Sequence, residues 1–127
     1  MKPSKETIRF YAMLLLTLSR APSGSLREAQ LIDELERSKW SKPLERLSVA
    51  SRTDSRIANA VHNVVSHRDS RWNPIRRGQL KWDPFFSAFT ITPEGSDFLI
   101  QVGRALGAQD GSELERVDRW LTDFARS

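Results

Sequence analysis

The chain has 127 residues, 39% of them hydrophobic and 28% charged, which suits one domain with a real core and argues against disorder. It has no cysteine, which excludes disulfides and thiolate metal sites. Its longest apolar run, Ala12-Met13-Leu14-Leu15-Leu16, is far too short to span a membrane, and no small-residue cleavage site follows it, so a cytoplasmic protein without a membrane partner is expected. The net charge of +4 is unevenly spread: residues 37–81 hold eleven Lys/Arg against three Asp/Glu, a local net of +8, while residues 82–127 hold four bases and eight acids. A basic middle between a neutral start and an acidic end points to a face made for a polyanion, or to a solvated basic face with no partner.

In chain order, a first helix is predicted over residues 4–19. Ile8, Tyr11, Met13, Leu15, Leu16 and Leu18 leave it little polar surface, so it should lie in the core. Ala21-Pro22-Ser23-Gly24 stops it. Ser25-Leu26-Arg27-Glu28 has the form of a capping box, opening a second helix that runs to about Arg37. Pro43 interrupts residues 38–51, where Leu44-Glu45-Arg46-Leu47 has room for one helical turn. Trp40 and Trp72 flank the basic region, either anchoring loops to the core or touching a base or sugar.

A third helix is predicted over residues 52–67. Ile57, Val61, Val64 and Val65 follow the i, i+4, i+7, i+8 pattern of an inward face. The opposite side carries Arg52, Ser55, Arg56, Asn59, His62, Asn63 and Ser66, with Asp54 at its edge as the lone carboxylate. These side chains suit base edges and phosphates, since Arg can pair with guanine and Asn with adenine. Asn73-Pro74 then breaks the chain. Ile75-Arg76-Arg77 reads as a strand start, with the turn at Gly78 or within residues 83–88, and Phe89-Thr90-Ile91-Thr92 as the return strand. Thr92 and Pro93 suit the cap and first position of a fourth helix that ends at Gly107. Ser112-Glu113-Leu114-Glu115 is a second capping-box pattern. It opens a last helix whose Leu114, Val117, Leu121 and Phe124 either fold back on the domain or pair with a second copy through residues 112–126.

The order helix, helix, helix, strand, basic wing, strand resembles the winged helix-turn-helix superfamily over about residues 5–106. Phe89-Thr90-Ile91-Thr92-Pro93-Glu94-Gly95 is similar to the "LT-x-x-G" signature that closes the wing in many such proteins. Arg56-Ile57-Ala58-Asn59-Ala60-Val61, with Arg76-Arg77-Gly78 and Phe89-Thr90-Ile91-Thr92, also resembles the N-terminal DNA-binding domain of Mrr-type restriction enzymes. The resemblance implies a mostly helical α+β fold with a small antiparallel β wing (residues 1–108) and an extra C-terminal helix (residues 109–127). It implies double-stranded DNA as partner, with the third helix in the major groove and the wing on the backbone or minor groove. Carried over, Arg52, Ser55, Arg56, Asn59 and Asn63 face bases or nearby phosphates. Arg76, Arg77 and Lys81 belong to the wing, and Arg68 and Arg71 reach phosphates at the joint.

Chemistry for catalysis is not in evidence in the sequence. His62 and His67, five apart, diverge by about 140° on a helix, too far for an easy shared metal. No cysteine nucleophile, Gly-rich phosphate loop or H-E-x-x-H is present. The expectation is a non-enzymatic DNA-binding protein without cofactor or metal, acting in transcriptional control. The rival expectations are a protein-interaction module and a detached DNA reader of a restriction or defence system. The reader would need an aromatic cavity for a flipped base, for which Trp72, Trp82, Phe85 and Phe86 are the candidates.

Overall fold

A computed structural model describes residues 2–46 and 55–126. The chain is α+β: the described residues form five helices and a small antiparallel three-stranded sheet. In order these are α1 (Lys5–Arg20), β1 (Ser25–Arg27), α2 (Glu28–Arg37), α3 (Arg56–Ser66), β2 (Leu80–Asp83), β3 (Ala88–Ile91), α4 (Pro93–Ala105) and α5 (Glu113–Arg126). Single 3-10 turns at Pro22–Gly24 and Pro43–Arg46 join them. No described helix is long and apolar enough to cross a membrane.

Helix α1 starts where Ser4 accepts a hydrogen bond from the Thr7 amide. Ala12 to Leu16 and Leu18 are all buried, so α1 is covered on every side. Helices α2, α4 and α5 and strand β3 supply the cover. Leu31 and Leu35 of α2, Val61 of α3, Phe89 of β3, Leu99 of α4, and Val117 and Leu121 of α5 meet in the same core. The C-terminal helix thus packs on its own chain, through two fully buried side chains.

Ser25-Leu26-Arg27 is a strand, not the predicted capping box. β1 pairs antiparallel with β3, with Ser25 opposite Thr90 and Leu26 opposite Phe89. The Ser25 hydroxyl donates to the Phe89 carbonyl at 3.0 Å and accepts from the Thr90 hydroxyl, so it has no role as a cap. Arg27 takes the N-cap position instead, its amide donating to the Gln30 side chain at 3.1 Å. A sheet partner more than sixty residues away outweighed the local signal.

Two buried polar knots hold the helices in place. Arg9, buried within α1, donates to the Trp40 carbonyl and, at 2.9 and 3.1 Å, to the Glu45 carboxylate. The Lys42 amide donates to the same carboxylate at 2.6 Å. Burial pushes Glu45 up, but the Arg9 and Lys42 contacts outweigh it and hold the carboxyl below its ordinary value. Asp118 of α5 forms the second knot, accepting from Trp40 Nε1 and from Arg20, both at 2.8 Å. Here too burial raises and the Trp40, Arg20 and Lys39 contacts lower, with a net fall.

Two glycines mark close approaches. A Cβ on Gly103 would lie 2.4 Å from the Glu113 carbonyl oxygen, at the crossing of α4 and α5. One on Gly95 would lie 2.3 Å from the Gln79 carbonyl oxygen, which is why the helix after β3 opens with Thr92-Pro93-Glu94-Gly95.

Gly103→Ala should therefore destabilise the fold by about 1–3 kcal/mol, measured by denaturant unfolding, because backbone cannot yield as a side chain can. The pH dependence has a definite sign. Both carboxyls have lowered values in the folded state, so their contribution is full above the ordinary values of 4.5 and 3.8 and is lost as pH falls through the lower folded ones. Thermal midpoints should drop on acidification through that window, and less steeply in Glu45→Gln.

Candidate nucleic-acid interface

The local sequence of α3 decides which of its side chains face outward. Ile57, Ala58, Val61 and Val64 are buried. Arg56 and Asn63 are exposed, and Asn59 and His62 half-buried. Ser55 departs from the sequence expectation. It is the N-cap, only 7% exposed, and its hydroxyl accepts from the Ala58 amide at 3.0 Å. A cap residue must aim its oxygen at the helix's first amides, so Ser55 cannot also reach outward to a base. Arg52 and Asp54 lie outside the described residues. His62 is in contact with Glu28, at the start of α2. That carboxylate, distant in sequence, adds an acid to the edge of the otherwise basic face.

The segment after α3 is built on Asn73, which is 3% exposed. Its side-chain amide donates to the Val64 carbonyl in the last turn of α3, and its oxygen accepts from the Ile75 amide, both at 2.9 Å. Successive turns follow, with Arg77 N–H donating to the Asn73 carbonyl, Gly78 N–H to Ile75 and Gln79 N–H to Pro74. Ile75-Arg76-Arg77 is thus a run of turns and not a strand. β2 begins at Leu80, and the hairpin turn is residues 84–87, with Asp83 opposite Ala88. The proline ring of Pro74 and the Asn73 side chain favour this turn over extended pairing.

Arg76 and Arg77 therefore stand at the foot of the hairpin, before its first strand, while exposed Lys81 lies on β2. Arg68 donates to the Val65 carbonyl at 3.0 Å, capping the C-terminal end of α3. Arg71 and Arg77 both lie over the Trp72 ring, at 5.2 and 4.8 Å from its centroid. The indole thus holds two guanidinium groups near one another, and a guanidinium over a ring face retains N–H donors for another partner. Among the described residues no carboxylate pairs with Arg56, Arg68, Arg71, Arg76 or Arg77, whereas Arg9, Arg20, Arg37 and Arg104 are all paired.

The fold thus brings Arg68, Arg71, Arg76 and Arg77 together on one loop joined to α3 by Asn73, with Arg56 and Asn63 on the helix itself. Trp40 is buried beside Asp118, well embedded in the core. Trp82 packs at a tilt against Phe89, with 4.6 Å between ring centroids, while Phe85 and Phe86 stand exposed at the hairpin tip. The four aromatics named for a base-holding cavity are thus divided between a loop stack, the sheet and the tip. Thr92 closes the hairpin's other end: its hydroxyl accepts from the Gly95 amide and donates to the Gly78 carbonyl at 2.6 Å. No protein-family model, curated protein or solved structure matches the chain.

Sequence reasoning overlooked Glu28, because nothing local announces a partner on another helix. Of the two turn positions the sequence offered, Gly78 and residues 83–88, the hairpin uses the second, where Asp83-Pro84 is the turn signal. Asn73→Ala should cost about 1–3 kcal/mol by leaving the Val64 carbonyl and Ile75 amide unpaired. Hydrogen exchange should show faster opening of residues 74–79 than of α5.

Proposed function

We propose that this protein binds double-stranded DNA as a winged helix, with α3 in the major groove and the β2–β3 hairpin as the wing. The observation that carries the reading is the cluster of arginines on and beside α3 that have no carboxylate partner among the described residues, two of them held over the Trp72 ring. The helix order, the antiparallel hairpin and the Thr92-capped helix that follows support it. Arg56, Asn59 and Asn63 read base edges, and Arg68, Arg71, Arg76, Arg77 and Lys81 hold phosphates. Phosphate contacts set register and affinity, and base contacts set sequence preference. The role is site-specific recognition in transcriptional control.

Fluorescence anisotropy across a salt series tests this. Each phosphate contact steepens the log–log salt dependence by about 0.9, so Arg76→Ala together with Arg77→Ala should lower it by about 1.8 and weaken binding to every duplex. Arg56→Ala should instead cost about 1–3 kcal/mol of discrimination against non-cognate sequence, measured on duplexes selected from a random pool. No duplex binding at about 50 mM salt, where phosphate contacts are strongest, would refute the reading.

A further inference from the structure

Among the described residues the large apolar side chains that face water are Phe85, Phe86 and Leu114, and the first two are adjacent at the tip of the hairpin. Phe85 is 85% exposed and Phe86 56%. Their rings meet edge-on, 4.8 Å between centroids at 83°. Turn tips favour Gly, Asn, Asp and Ser, so two phenylalanines there carry an exposure cost with no gain in folding.

The tip is also tied down by hydrogen bonds. The Asp83 carboxylate accepts from the Phe85 amide at 2.9 Å and the Phe86 amide at 3.4 Å. Pro84 restricts the backbone between them. Ser87 sits at φ 49°, and its carbonyl accepts from the Glu28 amide at 2.7 Å, which pins the hairpin to the start of α2. Behind the tip, the Trp82 ring packs at a tilt against buried Phe89. Arg27, opposite Ala88 in the sheet, and Lys81 are exposed on the flanking strands. The nearby acids are both engaged, Asp83 by the turn amides and Glu28 by His62.

We propose that Phe85 and Phe86 form a wedge that enters a base step of duplex DNA and unstacks it. The proposal rests on the duplex-binding reading and adds a specific contact to it. A convex apolar point needs a partner that offers a narrow slit between flat apolar faces, and cations beside it need anions beside that slit. A base step between two phosphate strands provides both, and apolar side chains are known to fill such steps and kink the helix. A protein pocket would offer the apolar slit without requiring the basic flanks.

Unstacking is costly, so a wedge binds better where the step is already weakened. The full chain should bind a duplex of about 20 base pairs carrying a single mismatch about tenfold more tightly than the matched duplex, as part of the unstacking cost is relieved. Dye-labelled ends should also move closer together on binding, because the helix kinks. In the double variant Phe85→Ala/Phe86→Ala the affinity ratio should collapse to one and the kink should vanish. The variant should melt at the wild-type temperature, since neither ring is part of the core. Phe85→Leu/Phe86→Leu should keep the preference.

A wild type that binds both duplexes equally and leaves them straight overturns the wedge while leaving the DNA-binding reading standing. Persistence of the mismatch preference in the double alanine variant overturns it too. Self-association by light scattering that disappears in that variant, with no effect on the DNA ratio, would assign the tip to a second copy instead. Failure of the wild type to bind any duplex removes the underlying reading and the wedge with it.

Discussion

Helix α1 is apolar on nearly every side, and that single property organises the molecule. A helix with one apolar stripe needs one neighbour, whereas one buried all round needs several. Here α2, α4, α5 and β3 each cover part of it. The exception within α1 is Arg9, whose buried charge has to be met by hydrogen bonds and an opposite charge. Glu45 and the Trp40 carbonyl meet its two terminal nitrogens, while the buried Nε has no partner among the described residues. Residues 40–45, after α2, are thereby tied to the central helix. The turn Pro43–Arg46 contacts α3, so the hydrogen bonds from one buried guanidinium also help place the outward-facing helix.

The cations of this chain divide into two groups by what surrounds them. Arg9, Arg20, Lys39 and Arg104 face carboxylates from other parts of the fold, and Arg37 faces Asp33 and Glu34 of its own helix. Most exposed pairs among these contribute little stability, but they do neutralise charge locally. Lys42 lies 4.6 Å from the Phe124 ring and near Glu6. The +8 counted for residues 37–81 therefore overstates what a ligand would feel at the start of that segment. Among the described residues the arginines without a carboxylate partner are concentrated later, at Arg56 and from Arg68 to Arg77. This group is narrower than the sequence block, and more coherent, because Trp72 and Asn73 hold it in shape.

Features that depend on near neighbours were legible from residue order. The inward stripe of α3 was, because Ile57, Val61 and Val64 repeat at helical spacing. So was the start of α4, where the Thr92 oxygen and the Pro93 ring act within one turn. Ser25-Leu26-Arg27-Glu28 misled for the same reason: its local pattern is sound, but the competing partner is Thr90, 65 residues away. Ser55 was assigned outward by helical projection, although it stands one residue before the helix and caps it. The strand expected at Ile75 failed because Asn73 makes two side-chain hydrogen bonds that favour turns.

By itself the sequence determined the mostly helical α+β class, the buried character of the first helix, the inner face of the third and the concentration of positive charge in the middle of the chain. Each follows from composition or from periodicity within a few turns. Only the tertiary structure decided that β1 exists, that Arg76 and Arg77 stand at the foot of the hairpin, that Glu28 meets His62, and that Phe85 and Phe86 project from its tip. These depend on which distant backbone and charged groups are brought within hydrogen-bonding distance. Such contacts are selected by packing around α1, and no short stretch of residues encodes them.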